Sequence, residues 1–167
     1  IFIGNPGTSK STLLNGILQE VKFKSGITCG SGMTTSLQLE RDGRFRNIWY
    51  GDTPGLEDIK LRAKAATEIT RGLKSGDDDY KLIFVVTEEA GRARPADVAT
   101  IKCVLDAIVK EGLKHPPYGV IINKLSKKMM KNYSIRDNRD KFVRCLCPEQ
   151  YPTSDIHLYE KCEELED

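Results

Sequence analysis

The chain has 167 residues, of which 39% are hydrophobic and 30% charged, with a formal net charge of +2. That length suits one domain with a real core. The near balance of charge argues against a dedicated nucleic-acid binder, and no apolar run approaches the length of a membrane span.

In chain order, Ile1-Phe2-Ile3 reads as an apolar strand end. Residues 4–11 are Gly4-Asn5-Pro6-Gly7-Thr8-Ser9-Lys10-Ser11, the pattern G-x-x-x-x-G-K-[ST] with Ser9 in place of the second glycine. Residues 11–20 then put Leu13, Leu14, Ile17 and Leu18 on one face of a helix. Residues 21–34 hold three glycines and no helical period, so they read as a loop. Strands over 36–41 and 45–51 flank Asp42-Gly43, a tight hairpin signal, with Leu37 and Leu39 on one face. Residues 56–74 place Leu61, Ala65, Ile69 and Leu73 at helical spacing, ended by Gly76-Asp77-Asp78-Asp79. Residues 82–86 read as a buried strand. Pro95 opens a helix to about 112, with Ile101, Val104, Leu105 and Ile108 inward. A strand over 119–122, a mainly helical stretch over 127–147 and a last strand over 156–159 complete the chain. Strands alternating with helices predict an α/β fold: a mostly parallel central sheet, one antiparallel edge pair, and helices on both faces. Ligand is expected at the carboxyl ends of the strands.

The glycine loop names a ligand class. Backbone N–H groups of Gly4, Asn5, Pro6, Gly7, Thr8 and Ser9, proline excepted as a donor, wrap a β-phosphate, and the helix N-terminus adds its partial positive charge. Gly7 supplies the unusual φ, and Ser9 in that region costs on the order of 1 kcal/mol. Lys10 neutralises charge between the β- and γ-phosphates, Ser11 ligates Mg²⁺, and Thr12 donates to the α-phosphate or caps the helix. A second motif, Asp52-Thr53-Pro54-Gly55, begins 41 residues after Ser11. In proteins with this paired motif the Asp anchors the Mg²⁺ water shell and the Gly N–H meets a γ-phosphate, the roles expected of Asp52 and Gly55. The third is Asn123-Lys124-Leu125-Ser126, two positions of the base reader N/T-K-x-D. Asn123 binds the purine and braces the loop, and Lys124 lays its stem over the ring. Ser126 replaces the Asp that accepts two hydrogen bonds from guanine, a loss of roughly 2–3 kcal/mol of guanine preference.

With GNPGTSKSTLLN, DTPGLED and VVTEEAGRARPADVATIKCVLD, whose Gly91-Arg92 is similar to the start of a GR-x-T segment, the chain resembles GTPase domains of the septin-like branch. That branch includes the immunity-associated nucleotide-binding proteins and the chloroplast outer-envelope import receptors. The chain is also similar to eukaryotic-microbe G domains with FKSG…GSGMTT and NK-x-S. The resemblance implies a three-layer P-loop NTPase G domain. One such domain over 1–167 is expected, trimmed at both ends, since the chain opens inside a strand and stops soon after the last one. It implies GTP/GDP as ligand, Mg²⁺ as cofactor, and pairing of two copies through the nucleotide face. Thr28, Thr34 and Thr35 are candidates for the switch threonine on Mg²⁺, and Thr34, after Gly32-Met33, fits the pattern. Leu56 stands where Ras-like proteins carry a water-positioning Gln, so hydrolysis is expected to be slow. Lys10, Thr34 and Arg92 are the catalytic candidates, with Glu57, Arg94 or a second subunit as other sources of the missing group. Ser126 leaves an ATPase or loosely selective NTPase open, and Ser9 with Leu56 leaves a pseudo-GTPase interaction module open.

Two further expectations come from charge and sulfur. Lys124, Lys127, Lys128, Lys131, Arg136, Arg139, Lys141 and Arg144 form a basic stretch, either a solvated helix face or a peripheral patch for anionic lipid or an acidic partner. Cys29, Cys103, Cys145, Cys147 and Cys162 are an odd count without a paired framework, which predicts reduced thiols and a cytoplasmic protein.

Overall fold

The computed structural model describes residues 1–24, 37–45, 47–56, 80–112 and 117–162, together with helical positions 63, 65–67, 69 and 70. The elements are β1 (Phe2–Ile3), α1 (Lys10–Leu18), β2 (Gln38–Arg41), β3 (Trp49–Asp52), β4 (Leu82–Glu89), β5 (Arg92–Ala93), α2 (Pro95–Lys110), β6 (Tyr118–Leu125), α3 (Lys127–Ser134), α4 (Arg136–Leu146) and β7 (Ile156–Glu160). Strand order is β2-β3-β1-β4-β6-β7, with β5 beside β4. The pairs β1–β3, β1–β4, β4–β6 and β6–β7 are parallel, and β2–β3 is antiparallel at the edge. The α/β expectation holds. The short antiparallel pair β4–β5 is an addition that the sequence reading lacked.

The central strands β4 and β6 are nearly continuous apolar runs because both of their faces are covered. Phe84, Val86, Val120 and Ile122 face one layer, packed with Ile101, Val104, Leu105 and Ile108 of α2, all four fully buried as the spacing predicted. Phe2, Val85 and Ile121 face the other layer, packed with Leu14 and Leu18 of α1. In α2, Pro95 sits in the first turn, where its missing N–H costs nothing. Asp97 in the first turn and Lys110 in the last both complement the helix dipole.

Two elements differ in detail from expectation. The tight Asp42-Gly43 turn is a longer connection over 42–48: the Asp42 N–H donates to the Ile48 carbonyl at 2.9 Å, and Arg44 donates backbone and guanidinium N–H to the Asp42 carboxylate. A local Asp side chain offers the backbone an alternative to the ladder, so the strands start later and Phe45 is exposed. Leu37 and Leu39 do share a face, both lying over Gly51. The stretch 127–147 is two helices, broken at Ile135, which is extended at φ −76°, ψ 118°. From the expected helix over 56–74, Ala65 and Ile69 are buried on the core side. Leu61, Leu73 and residues 76–79 lie outside the described residues, as do Thr28, Thr34, Thr35 and Glu57. No described helix is long and apolar enough to cross a membrane.

Candidate functional site

The chain leaves β1 at Ile3 and turns through residues 4–9 before α1 begins at Lys10. Gly4 lies on β4 so closely that a Cβ there would sit 2.3 Å from the Val85 carbonyl oxygen. Gly7 takes φ 78°, and Ser9 takes φ 63°, ψ 37°. Ser9 therefore occupies the left-handed region, at a cost of roughly 1 kcal/mol for a residue with a Cβ. Its hydroxyl makes no capping hydrogen bond to α1. The first-turn N–H groups of that helix have no intrahelical partner, which is the chemistry of an anion site.

Inside the loop, Thr8 Oγ1 donates to the Asn5 carbonyl at 2.9 Å, and Lys10 Nζ donates to the carbonyls of Gly4 at 3.0 Å and Asn5 at 3.4 Å. Burial pushes the Lys10 pKa down, while the charges of Asp52 and Asp97 pull it back up. The Asn5 side chain turns inward, away from the loop rim: its Nδ2 donates to Asp97 Oδ1 at 2.5 Å and its Oδ1 accepts from Thr100 Oγ1 at 3.1 Å. Thr12 is half-buried in α1.

Ser11, one residue into α1, donates through Oγ to Asp52 Oδ2 at 2.6 Å. Asp52 ends β3 and is fully buried. Thr53 Oγ1 donates to the Phe2 carbonyl at 2.9 Å, pinning the segment after β3 to β1. Gly55 rests on the Pro6 ring. Leu56 is fully buried in the core beside α2, so its side chain serves packing. A hydroxyl and a carboxylate in contact are hard oxygen donors, and this pair fits Mg²⁺.

The third segment closes the site from β6. Asn123 Nδ2 donates to the Thr8 carbonyl at 2.9 Å, so the strand end holds the glycine loop directly. Lys124 adopts φ 58°, a left-handed conformation that non-glycine residues rarely take outside special sites. Ser126 caps α3, its Oγ accepting from the Met129 N–H at 3.2 Å. Beside it, Glu160 of β7 is in register with Leu125, and the Lys161 N–H donates to the Leu125 carbonyl at 2.8 Å.

Lys10, Ser11, Asp52, Gly55 and Asn123 thus meet at the carboxyl ends of β1, β3 and β6. Arg92 is exposed in β5 and lines a groove with Tyr133, Asn138 and Lys141. Arg94 donates from its guanidinium to Thr87 Oγ1 at 3.2 Å. Sequence reasoning missed Asp97, Thr100 and Lys161. Asp97 carried a weak signal, an acid in the first turn after Pro95, which reads equally well as a helix-dipole residue.

A search of curated proteins gives no match. Among solved structures, the chain is similar to Toc33 from Arabidopsis thaliana, crystallised as a dimerization-deficient arginine-to-alanine mutant. The TM-score is 0.62 and the identity 15%, over 97% of this chain and 70% of that one, a likeness of fold. Residues 1–124, which contain the glycine loop, the Asp52 segment and the Asn123-Lys124 strand end, match the model of the 50S ribosome-binding GTPases. The chain belongs to that GTPase family, as a P-loop domain of α/β fold.

Proposed function

We propose that this domain is a guanine-nucleotide switch that hydrolyses GTP slowly with Mg²⁺. The observation that carries the reading is the joining of three distant segments into one site: Lys10 on the loop carbonyls, Ser11 on Asp52, and Asn123 on Thr8. Residues 4–9 and Thr12 wrap the phosphates, Lys10 balances charge between the β- and γ-phosphates, and Gly55 reads the γ-phosphate. Ser11 and Asp52, with Thr34, would hold Mg²⁺, which when bound supplies charge neutralisation at the phosphate oxygens. Asn123, Lys124 and Ser126 line the base.

Leu56 faces the core, so the position after Gly55 lends no water-orienting group. A second copy, docked through the nucleotide face, would supply it. Arg92, exposed in β5, is the proposed side chain for such a loan. The Toc33 structure is of a mutant described as dimerization-deficient through loss of an arginine, and that supports the analogy. The unit is one G domain over 1–167, cytoplasmic, with guanine nucleotide rather than nucleic acid as its ligand. The basic stretch 124–144 is a secondary surface for anionic lipid or an acidic partner.

A second reading, a loosely selective NTPase or ATPase, rests on Ser126, whose hydroxyl oxygen is already engaged with the Met129 N–H. Titration with fluorescent GDP, GTP and ATP analogues, with phosphate release measured over a wide protein concentration range, separates the readings. The switch reading expects guanine preference, slow turnover, and specific activity that rises with concentration. Lys10→Ala should abolish triphosphate binding, and unchanged affinity in that variant removes the nucleotide site altogether. Nucleotide binding without turnover at any concentration leaves a pseudo-GTPase.

A further inference from the structure

We propose that Asp97 is a positioning residue for the phosphate loop, acting through Asn5 to fix the turn that carries Lys10. The proposal rests on the nucleotide-site reading and adds α2 to that site as its strut.

The geometry leaves Asn5 one orientation. Its Nδ2 donates to Asp97 Oδ1 at 2.5 Å and its Oδ1 accepts from Thr100 Oγ1 at 3.1 Å, so both ends of the amide are held by α2. A flipped amide would set its oxygen against the Asp97 carboxylate. Asn5 is fully buried and Asp97 is 1% exposed, so water does not compete for these bonds. The other carboxylate oxygen, Oδ2, accepts the Thr87 N–H at 3.3 Å, which ties the same side chain to the end of β4. Arg94 is not the partner of the carboxylate: its guanidinium donates to Thr87 Oγ1. The Asp97 carboxylate thus accepts from an amide and a backbone N–H. Burial raises its pKa, and those two hydrogen bonds, with the charges of Arg94 and Lys10, oppose the rise.

What Asn5 does with its main chain gives the arrangement its purpose. The Asn5 carbonyl accepts from both Thr8 Oγ1 and Lys10 Nζ. Fixing the side chain fixes that carbonyl, and the carbonyl fixes the turn and the ammonium. α2 thus reaches the phosphate loop through one buried amide, across 92 residues of sequence. Hydrogen bonds to a buried charged group are among the costlier ones to remove, because the remaining partner is left unsatisfied.

The test uses Asp97→Ala, Thr100→Val, Asn5→Asp, and Asn5→Asp combined with Asp97→Asn. Two quantities are read: the Kd for a fluorescent GDP analogue with Mg²⁺, and amide hydrogen exchange over residues 5–10 without nucleotide. Asp97→Ala should weaken binding by about tenfold or more and speed exchange in the loop. Thr100→Val, which removes one hydroxyl at equal size, should do the same to a smaller degree and carries the test if Asp97→Ala does not fold. Asn5→Asp sets two carboxylates face to face and should weaken binding. Adding Asp97→Asn restores a donor to that pair while its amide oxygen still accepts from Thr87, so the double variant should bind tighter than Asn5→Asp alone.

Folded variants that melt earlier yet keep wild-type Kd and wild-type loop exchange would overturn the proposal, as would a double variant no better than Asn5→Asp. If the wild type binds no nucleotide while Asp97→Ala still speeds loop exchange, the nucleotide reading fails and the strut stands.

Discussion

Gly55 is seated against the ring of Pro6: a Cβ at position 55 would lie 2.5 Å from Pro6 Cγ and 2.7 Å from its Cδ. The contact joins the segment after β3 to the glycine loop with no room for a methyl group, and a proline ring moves only with its backbone. Gly55→Ala should therefore push the two segments apart. Affinity for a non-hydrolysable GTP analogue should fall at least tenfold or so, with GDP affinity moving less, because the Gly55 N–H is proposed to meet only the γ-phosphate. Equal losses for both nucleotides would place the effect in the fold rather than in γ-phosphate sensing.

Ser9 offers a gain rather than a loss. It holds φ 63°, where a glycine is at ease. Ser9→Gly should raise stability by about 1 kcal/mol, partly offset by the extra freedom of the unfolded chain. Urea unfolding at constant m reads this directly. A lower midpoint would show that the Ser9 side chain supplies more than the strain costs.

Ser126 has two jobs to separate. Its oxygen caps α3, and under the proposed function it also lines the base. Asp is as good a cap as Ser, so Ser126→Asp should keep the helix and raise the GTP-over-ATP preference by roughly tenfold or more. Ser126→Ala should lose about 1 kcal/mol of stability through the cap. Competition titrations with the two nucleotides check the first, and thermal melts the second.

The far end of the sheet has a pH signature. Lys81 Nζ lies 2.6 Å from Asp155 Oδ2, and His157 Nε2 lies 2.8 Å from Oδ1. The Lys81 hydrogen bond, with help from His157, holds the Asp155 carboxyl below its ordinary 3.8. A folded pKa below the unfolded one means stability that is full above 3.8 and lost as pH falls through the folded value. The melting-temperature gap between wild type and Asp155→Asn should thus be widest above about pH 5 and close in stronger acid. A gap that is constant with pH would mean that the ion pair contributes nothing through charge.

Much of this architecture was legible because it rests on local pattern. Ile101, Val104, Leu105 and Ile108 declared the buried face of α2, and Leu14 and Leu18 that of α1, since a 3.6-residue period needs no knowledge of the partner surface. The loop residues and Asp52 were legible because phosphate and cation chemistry constrain residue type at fixed spacing. Asp97 and Lys161 were not, because their roles arise only when α2 reaches the loop after β1 and β7 pairs with β6. The hairpin was misjudged at Asp42, where a side chain engaged by Arg44 overrode the turn preference of Asp-Gly. The break at Ile135 lacks a glycine or proline, and so gave no local sign.

The bond from Asn123 to the Thr8 carbonyl spans 115 residues, and that separation bears on how the chain reaches its native state. A half-folded chain that has docked only β1, α1 and β3 owns the Lys10 ammonium and the Ser11–Asp52 pair but not the strand that steadies the loop. Long-range pairings of this kind form late, after the loop-closure entropy has been overcome. On the proposed reading, nucleotide would bind the chain whose loop Asn123 has steadied more tightly than the half-folded one, and would draw the population toward completion by mass action.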